Sequence, residues 1–279
     1  MNNEKILELK KIATDVRLGI IEAVYNAKSG HPGGALSSAD ILTSLYFSEL
    51  RIDPKDPKNP NRDRFVLSKG HSCPGLYSVM AHRGYFPVED LKGFRHLGTS
   101  MQGHPDMKAI DGVDMSAGSL GQGFSCACGM ALAGKIDNKD YRVYAVIGDG
   151  ESQEGQIWEA TMFASHYKLD NLCLIIDNNG LQIDGAVKDV MNTMPYESKF
   201  EAFGWNVVTI DGHDYEQILN AFETAKQTKD KPTVIVAKTV KGKGVSFMEN
   251  NVGWHGKAPN DEEYAQACAE LTEYKNSLK

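Results

Sequence analysis

Apolar residues recur every three or four positions at the start of the chain, at Ile6, Leu9, Ile12, Val16, Ile20 and Val24. That spacing puts them on one face and predicts a helix of about 24 residues. The stretch Ser29-Gly30-His31-Pro32-Gly33-Gly34 must end it, because glycine and proline stand together there. A second apolar segment, Ser37 to Leu50, predicts another helix. Asp53 to Asp63 carries three prolines and alternating charges, which reads as a surface connection.

The pattern then changes. Short β-branched runs stand at Arg142–Ile147, Asn171–Asp177, Trp205–Ile210 and Thr233–Lys238. Between them lie helical patterns, clearest at Tyr215, Ile218, Leu219, Phe222 and Ala225. Alternating strands and helices predict an α/β fold, a parallel β-sheet with right-handed crossovers and helices on both faces. The nearly continuous apolar run Leu172-Cys173-Leu174-Ile175-Ile176 suits a strand covered on both sides. The charged segment after Pro259 predicts a terminal surface helix. There is no internal repeat and no low-complexity tract.

Composition narrows the classes. At 279 residues and 41% hydrophobic content the chain can bury one large core or two small ones. A net charge of −7 and a pI near 5.6 argue against a nucleic-acid partner, which calls for a basic stripe. No stretch approaches eighteen consecutive apolar residues, so an ordinary membrane span is not expected, and residues 1–20 show no signal-peptide pattern. The five cysteines, Cys73, Cys126, Cys128, Cys173 and Cys268, are odd in number and scattered. They suggest reduced thiols in a cytoplasmic protein.

Ligands of open parallel sheets collect outside the carboxyl ends of the strands. The first run above leads into Gly148-Asp149-Gly150, and the second ends in Asp177-Asn178-Asn179-Gly180. If those strands are neighbours, Asp149 and Asn179 reach one crevice. A carboxylate, a carboxamide oxygen and a backbone carbonyl are hard donors suited to Mg²⁺ or Ca²⁺, and phosphate oxygens are the usual completion of such a shell. A helix starting near Glu154 would point its amino end at an anion. The chain has no G-x-x-x-x-G-K-[ST] and no G-x-G-x-x-G following a strand, which sets aside the common nucleotide sites.

G-D-G followed thirty residues later by an asparagine turn, here N-N-G-L-Q-I-D-G, resembles the metal–diphosphate motif of thiamine diphosphate enzymes. The resemblance implies that Asp149 and Asn179 ligate a divalent metal (Mg²⁺, or Ca²⁺ or Mn²⁺) through side chains and Leu181 through its carbonyl. Five of the eight histidines neighbour a glycine, and four of these stand in phrases similar to the transketolase family. They are S-G-H-P-G at His31, K-G-H-S at His71, G-H-P-D at His104 and W-H-G at His255. Ala117-Gly118-Ser119-Leu120-Gly121-Gln122-Gly123 resembles the family's cofactor loop, and Gly148-Asp149-Gly150-Glu151-Ser152-Gln153-Glu154-Gly155 also matches.

The resemblance covers nearly the whole chain and implies a thiamine diphosphate-binding fold in a single domain, residues 1–279. His31 and His104 would face a ketose substrate and move protons, and His71 and His255 would lie by the diphosphate and thiazolium end of the cofactor, His255 also near the chemistry. Gly118, Ser119 and Leu120 would line the aminopyrimidine, Gly150 would offer its amide near the metal, and Glu154 would touch a partner module. His82, His96, His166 and His213 read as structural. The family's reaction passes a two-carbon ketol unit between sugar phosphates, and imidazoles titrating near neutral pH would suit its proton transfers.

Transketolase chains are normally more than twice this length, with a pyrimidine-binding module that carries an activating glutamate and a third domain. Neither has a counterpart here. The expectation is a heterotetramer formed with a complementary C-terminal transketolase subunit. The start at Met1 and the charged end at Lys279 favour a natural subunit over a piece. Other readings of the same module are a transketolase specialised for an unusual sugar, a dihydroxyacetone synthase, a 1-deoxyxylulose-phosphate synthase, the α subunit of a 2-oxoacid dehydrogenase, or a non-catalytic scaffold.

Overall fold

The computed structural model describes residues 3–279. Among the described residues are seven strands: β1 (Arg64–Leu67), β2 (Val143–Gly148), β3 (Leu172–Asn178), β4 (Leu181–Gln182), β5 (Gly185–Ala186), β6 (Asn206–Asp211) and β7 (Thr233–Lys238). Five of them form one all-parallel sheet in the order β1-β2-β3-β7-β6, and β4 and β5 make a small antiparallel ladder. The helices are α1 (Asn3–Ala27), α2 (Pro32–Ser37), α3 (Ala39–Ser44), α4 (Cys73–Arg83), α5 (Gln122–Ile136), α6 (Gly155–His166), α7 (Val187–Val190), α8 (Tyr196–Ala202), α9 (Tyr215–Gln227) and α10 (Asp261–Ser277).

Successive residues of a strand point to opposite faces, and the two cores divide accordingly. Leu67, Tyr144, Val146, Cys173, Ile175 and Ile235 pack toward α1, α3, α4 and α9. Val66, Ala145, Ile147, Leu174, Ile176 and Val236 pack toward α5, α6 and α8. Helices on both faces and continuous apolar strands are therefore what the chain forms. The four strands expected from the sequence are present, each within one residue of its expected limits.

Two local features differ. β1 was not expected, because its four residues follow a charged, proline-rich stretch that masks the apolar run Phe65-Val66-Leu67. The helix expected over Ser37 to Leu50 is interrupted at Ser38 and widens into a π turn over Leu45–Glu49. The Ser38 hydroxyl donates back to the Gly34 carbonyl, a competition with the backbone ladder that bends helices.

At the chain's end, α10 is opened by a reciprocal capping box between Asn260 and Glu263. It buries Ala267 and Leu271, and Lys275 ties it to Asp15 of α1. Among the described residues no helix is long and apolar enough to cross a membrane.

Candidate functional site

Four strands deliver their carboxyl ends to one cavity of about 540 Å³. β1 leads to Lys69 and His71, β2 to Asp149, β3 to Asn179 and β7 to Lys241, while the turn between α1 and α2 brings His31. Proline at the first position of α2 starts that helix without needing an amide donor. Gly33, next to it, has no room for a side chain: a Cβ there would lie 2.8 Å from the Trp254 carbonyl. That close approach lets His255 face His31.

β2 and β3 are adjacent, with Gly148 opposite Asp177. Asp149 and Asn179 thereby meet at one crevice. The Gly180 amide donates to Asp149 Oδ2 at 2.5 Å and the Tyr196 hydroxyl to Oδ1 at 3.2 Å. Burial, and after it the charge of Asp177, pushes the Asp149 carboxyl up to about 7. Asn179 accepts from the Leu181 amide through Oδ1.

Behind this edge lies a buried charge cluster. Lys69 Nζ donates to Asp177 Oδ2 at 2.6 Å and to the Gly34 carbonyl at 2.7 Å. Asp177 also accepts from Ser37 and Thr239. Burial alone would raise its carboxyl, but Lys69 and these hydroxyls hold it below its ordinary value. Lys241 is 2% exposed and has no such partner; its Nζ lies 3.0 Å from His255 Nδ1. Burial, opposed by Asp177, brings its amine down to about 8. A buried cation without a carboxylate beside it favours an anionic ligand.

Glu151 joins three parts of the site. Its carboxylate accepts from Ser68 Oγ after β1, from the Gly121 amide of the 117–123 loop, and from the Gly148 amide of β2. Burial pushes it up to about 7, against those hydrogen bonds.

His31, His71 and His255 form a triangle with ring centroids 5.1–5.4 Å apart. His104 approaches from the other side, 3.5 Å from where a Gly118 Cβ would stand. Burial holds all four imidazoles below their ordinary value, His31 and His255 at about 4. Neighbouring cations add to the effect, Arg95 at His31 and His104 and Lys241 at His255. The expectation of imidazoles titrating near neutral pH is therefore corrected. Desolvation in the pocket favours the neutral form of each ring, and the cations beside the rings add to it. The triangle groups His31 with His71 and His255, and His104 lines the same cavity close enough to His31 for its charge to bear on that ring.

Of the residues singled out from the sequence, His31, His71, His104 and His255 line the cavity, with Gly118 and Leu120 of the loop. Asp149, Gly150 and Glu154 after β2, and Asn179 and Leu181 after β3, line it too. Ser119 is exposed on the same turn but not among the lining residues. Sequence reasoning missed Lys69, Lys241, Glu151 and Arg95. For Lys69 a signal existed, since it stands inside the K-G-H-S phrase beside His71. Arg95 donates to Ser29 Oγ at 2.6 Å, has a left-handed backbone (φ 57°) and a buried, unpartnered Nε, and carried no signal in the sequence.

Residues 9–275 match the family model described as the transketolase, thiamine diphosphate binding domain. The chain belongs to the transketolase family. It is 45% identical over 269 residues to a 6-deoxy-6-sulfo-D-fructose transketolase subunit of Clostridium sp. (strain MSTE9), covering 96% of this chain and 98% of that protein. It is 42% identical to one of the subunits of the apulose-4-phosphate transketolase of Phocaeicola vulgatus, over 92% of this chain and 91% of that one. Human transketolase is 45% identical over 92% of the chain, which spans only 41% of that enzyme. The crystal structure of the Campylobacter jejuni transketolase superposes with a TM-score of 0.90 at 38% identity, over 98% of this chain and 43% of that one. Against full-length transketolases the chain spans less than half; against the two transketolase subunits it spans nearly all.

Proposed function

We propose that this chain is the N-terminal, diphosphate-binding subunit of a split transketolase. With a complementary C-terminal subunit it transfers a two-carbon ketol unit from a ketose phosphate to an aldose phosphate. The observation that carries the reading is the single cavity in which Asp149, Asn179 and Leu181 meet two buried lysines and four histidines.

The donor set fits thiamine diphosphate and a divalent metal. One carboxylate, one carboxamide and one backbone carbonyl are hard oxygens too few to complete a shell, and they suit Mg²⁺ (or Ca²⁺ or Mn²⁺) shared with a diphosphate. Among the described residues no group of three or more His, Cys, Asp or Glu could hold a metal by itself. Lys241 and Lys69 supply positive charge and N–H donors for the diphosphate, and His71 a neutral ring nitrogen. The buried atoms His31 Nδ1 and Ser72 Oγ have no partner and lie at this cavity, as expected where a polar ligand completes them.

Bound there, thiamine diphosphate supplies the electron sink for carbon–carbon cleavage. His31, His104 and His255 hold hydroxyls of the sugar as neutral donors and acceptors and take up a proton when negative charge develops beside them. Gly118 and Leu120, on the cavity wall, would hold the cofactor's aminopyrimidine, and Glu154, exposed at the mouth, would meet the partner. The activating carboxylate comes from the complementary subunit.

Self-association into a heterotetramer is supported by the C-terminal end of α6, where Met162 and Phe163 are exposed and the Phe163 ring packs on exposed Tyr167 just beyond the helix. Apolar side chains grouped in this way mark protein interfaces. Five unpaired cysteines support a cytoplasmic setting. A second reading, a specialised sugar donor or acceptor, is favoured by the names of the two transketolase subunits, one for a sulfo-sugar and one for apulose 4-phosphate.

The test combines the purified chain with thiamine diphosphate, Mg²⁺ and a panel of ketose donors including xylulose 5-phosphate, with and without the complementary subunit. Turnover is expected only with the partner, and Asp149→Ala should abolish it while weakening cofactor binding by roughly tenfold or more. Turnover by the chain alone would overturn the split-site reading, and unaltered cofactor binding in the Asp149 variant would favour a scaffold.

A further inference from the structure

Outside the cavity, on the opposite side of the segment that follows β7, a buried carboxylate organises a second polar cluster. Asp40, in α3, accepts both guanidinium nitrogens of Arg17 at 2.9 and 2.7 Å, the Tyr215 hydroxyl at 2.6 Å, and His213 Nδ1 at 2.7 Å. Burial alone would raise its carboxyl, but Arg17 and the hydrogen bonds of His213 and Arg17 hold it well below the usual carboxylate range.

Two of these partners also grip the backbone of one short segment. The Val240 amide donates to His213 Nε2 at 2.9 Å. Arg17 Nε donates to the Lys243 carbonyl at 3.0 Å. Between those two points stands Lys241, whose amine reaches the cavity and His255. The His213 tautomer follows from its neighbours: Nε2 receives an N–H and must be unprotonated, so Nδ1 carries the hydrogen given to Asp40.

We propose that His213, oriented by Asp40 and Arg17, is a positioning residue that clamps the Val240–Lys243 turn and thereby aims Lys241 at the diphosphate. The role rests on the cofactor reading above. A His that merely filled space between α9 and the sheet would need neither an acceptor at Nε2 nor a donor at Nδ1. The geometry uses both nitrogens, and Arg17 grips the other end of the same turn.

Two polar substitutions separate the functions of the two ring nitrogens. His213→Gln places an acceptor near the Nε2 position and keeps the hold on Val240. His213→Asn places a donor near the Nδ1 position and leaves the Val240 amide without its acceptor. The site is 15% exposed, so both are expected to fold, and thermal melts verify this. In the chain by itself, amide hydrogen exchange at Val240 should quicken about tenfold in His213→Asn and stay near wild type in His213→Gln, the loss of one such bond being worth about that factor. Calorimetric affinity for thiamine diphosphate with Mg²⁺ should follow the same order, falling about fivefold to tenfold in the Asn variant only. Unchanged Val240 exchange in the Asn variant, or faster exchange with unchanged affinity, would overturn the clamp. If the wild-type chain binds no thiamine diphosphate even with the complementary subunit present, the cofactor reading fails instead, and Val240 exchange still decides whether His213 holds the turn.

Discussion

Lys241→Met tests whether the site stores unfavourable charge for the sake of an anion. The lysine is 2% exposed, and His255 Nδ1 is its hydrogen-bond partner. Burial, partly offset by Asp177, brings its amine from 10.5 to about 8. At 1.36 kcal/mol per pH unit this depression amounts to about 3 kcal/mol of lost unfolding free energy. The sign follows from proton counting. In the unfolded chain the amine keeps its ordinary value, so between about 8 and 10.5 the unfolded state binds more protons and stability rises with pH. Below 8 both states are protonated and the full destabilisation is present. Methionine keeps the stem's packing and removes the charge. The variant should therefore be more stable than wild type by up to about 3 kcal/mol at pH 7, roughly 6 °C in Tm, with the gain shrinking toward pH 10. Its affinity for thiamine diphosphate with Mg²⁺ should fall. Wild-type affinity should itself drop about tenfold between pH 7 and pH 9 as the amine discharges, and the variant should lack that slope. Urea melts of both proteins at pH 7 and pH 10, with cofactor titrations at pH 7 and pH 9, supply the numbers. A variant no more stable than wild type at pH 7, or one that keeps the wild-type pH slope of binding, would refute the argument.

Two further substitutions probe the frame. Gly123→Ala would set a Cβ 2.8 Å from the Ser68 Cα, where backbone cannot give way easily. It should destabilise the chain by about 1–3 kcal/mol in a thermal melt, and an unchanged melt would show that α5 can move off β1. Glu151→Gln retains one acceptor oxygen but turns an N–H toward the Gly121 or Gly148 amide. The unmatched donor should destabilise by about 1–3 kcal/mol and speed exchange at whichever of the Gly121 and Gly148 amides it faces; slow exchange at both in this variant would mean the 117–123 loop is held by something else.

Reading the fold from the sequence worked where a local pattern has a local cause. The 3.6-residue spacing of Leu9, Val16, Ile20 and Val24 gave α1, because one buried face suffices to define a helix. β3 was legible because a strand covered on both faces excludes polar residues from its middle. β1 escaped, since four residues carry too little pattern to stand out from the charged loop before them. The break at Ser38 escaped as well, because hydroxyl back-bonding to Gly34 depends on side-chain rotamers that no periodicity records.

By itself the sequence determined the class of sheet, the motifs at the strand ends, and the expectation that Asp149 and Asn179 share a crevice. Each depends on residue type and spacing along the chain. Only the tertiary structure decided the electrical character of the site. Lys69 and Lys241 are separated by more than half the chain, and neither lies in a pattern that marks it as buried. The burial of Lys69 against Asp177 and of Lys241 without a carboxylate partner, the neutrality of the three packed imidazoles, and the His213–Asp40–Arg17 grip on the Val240 turn arise from desolvation and from contacts between distant segments. Charge in a protein interior is set by what surrounds it, and the surroundings exist only once the strands are side by side.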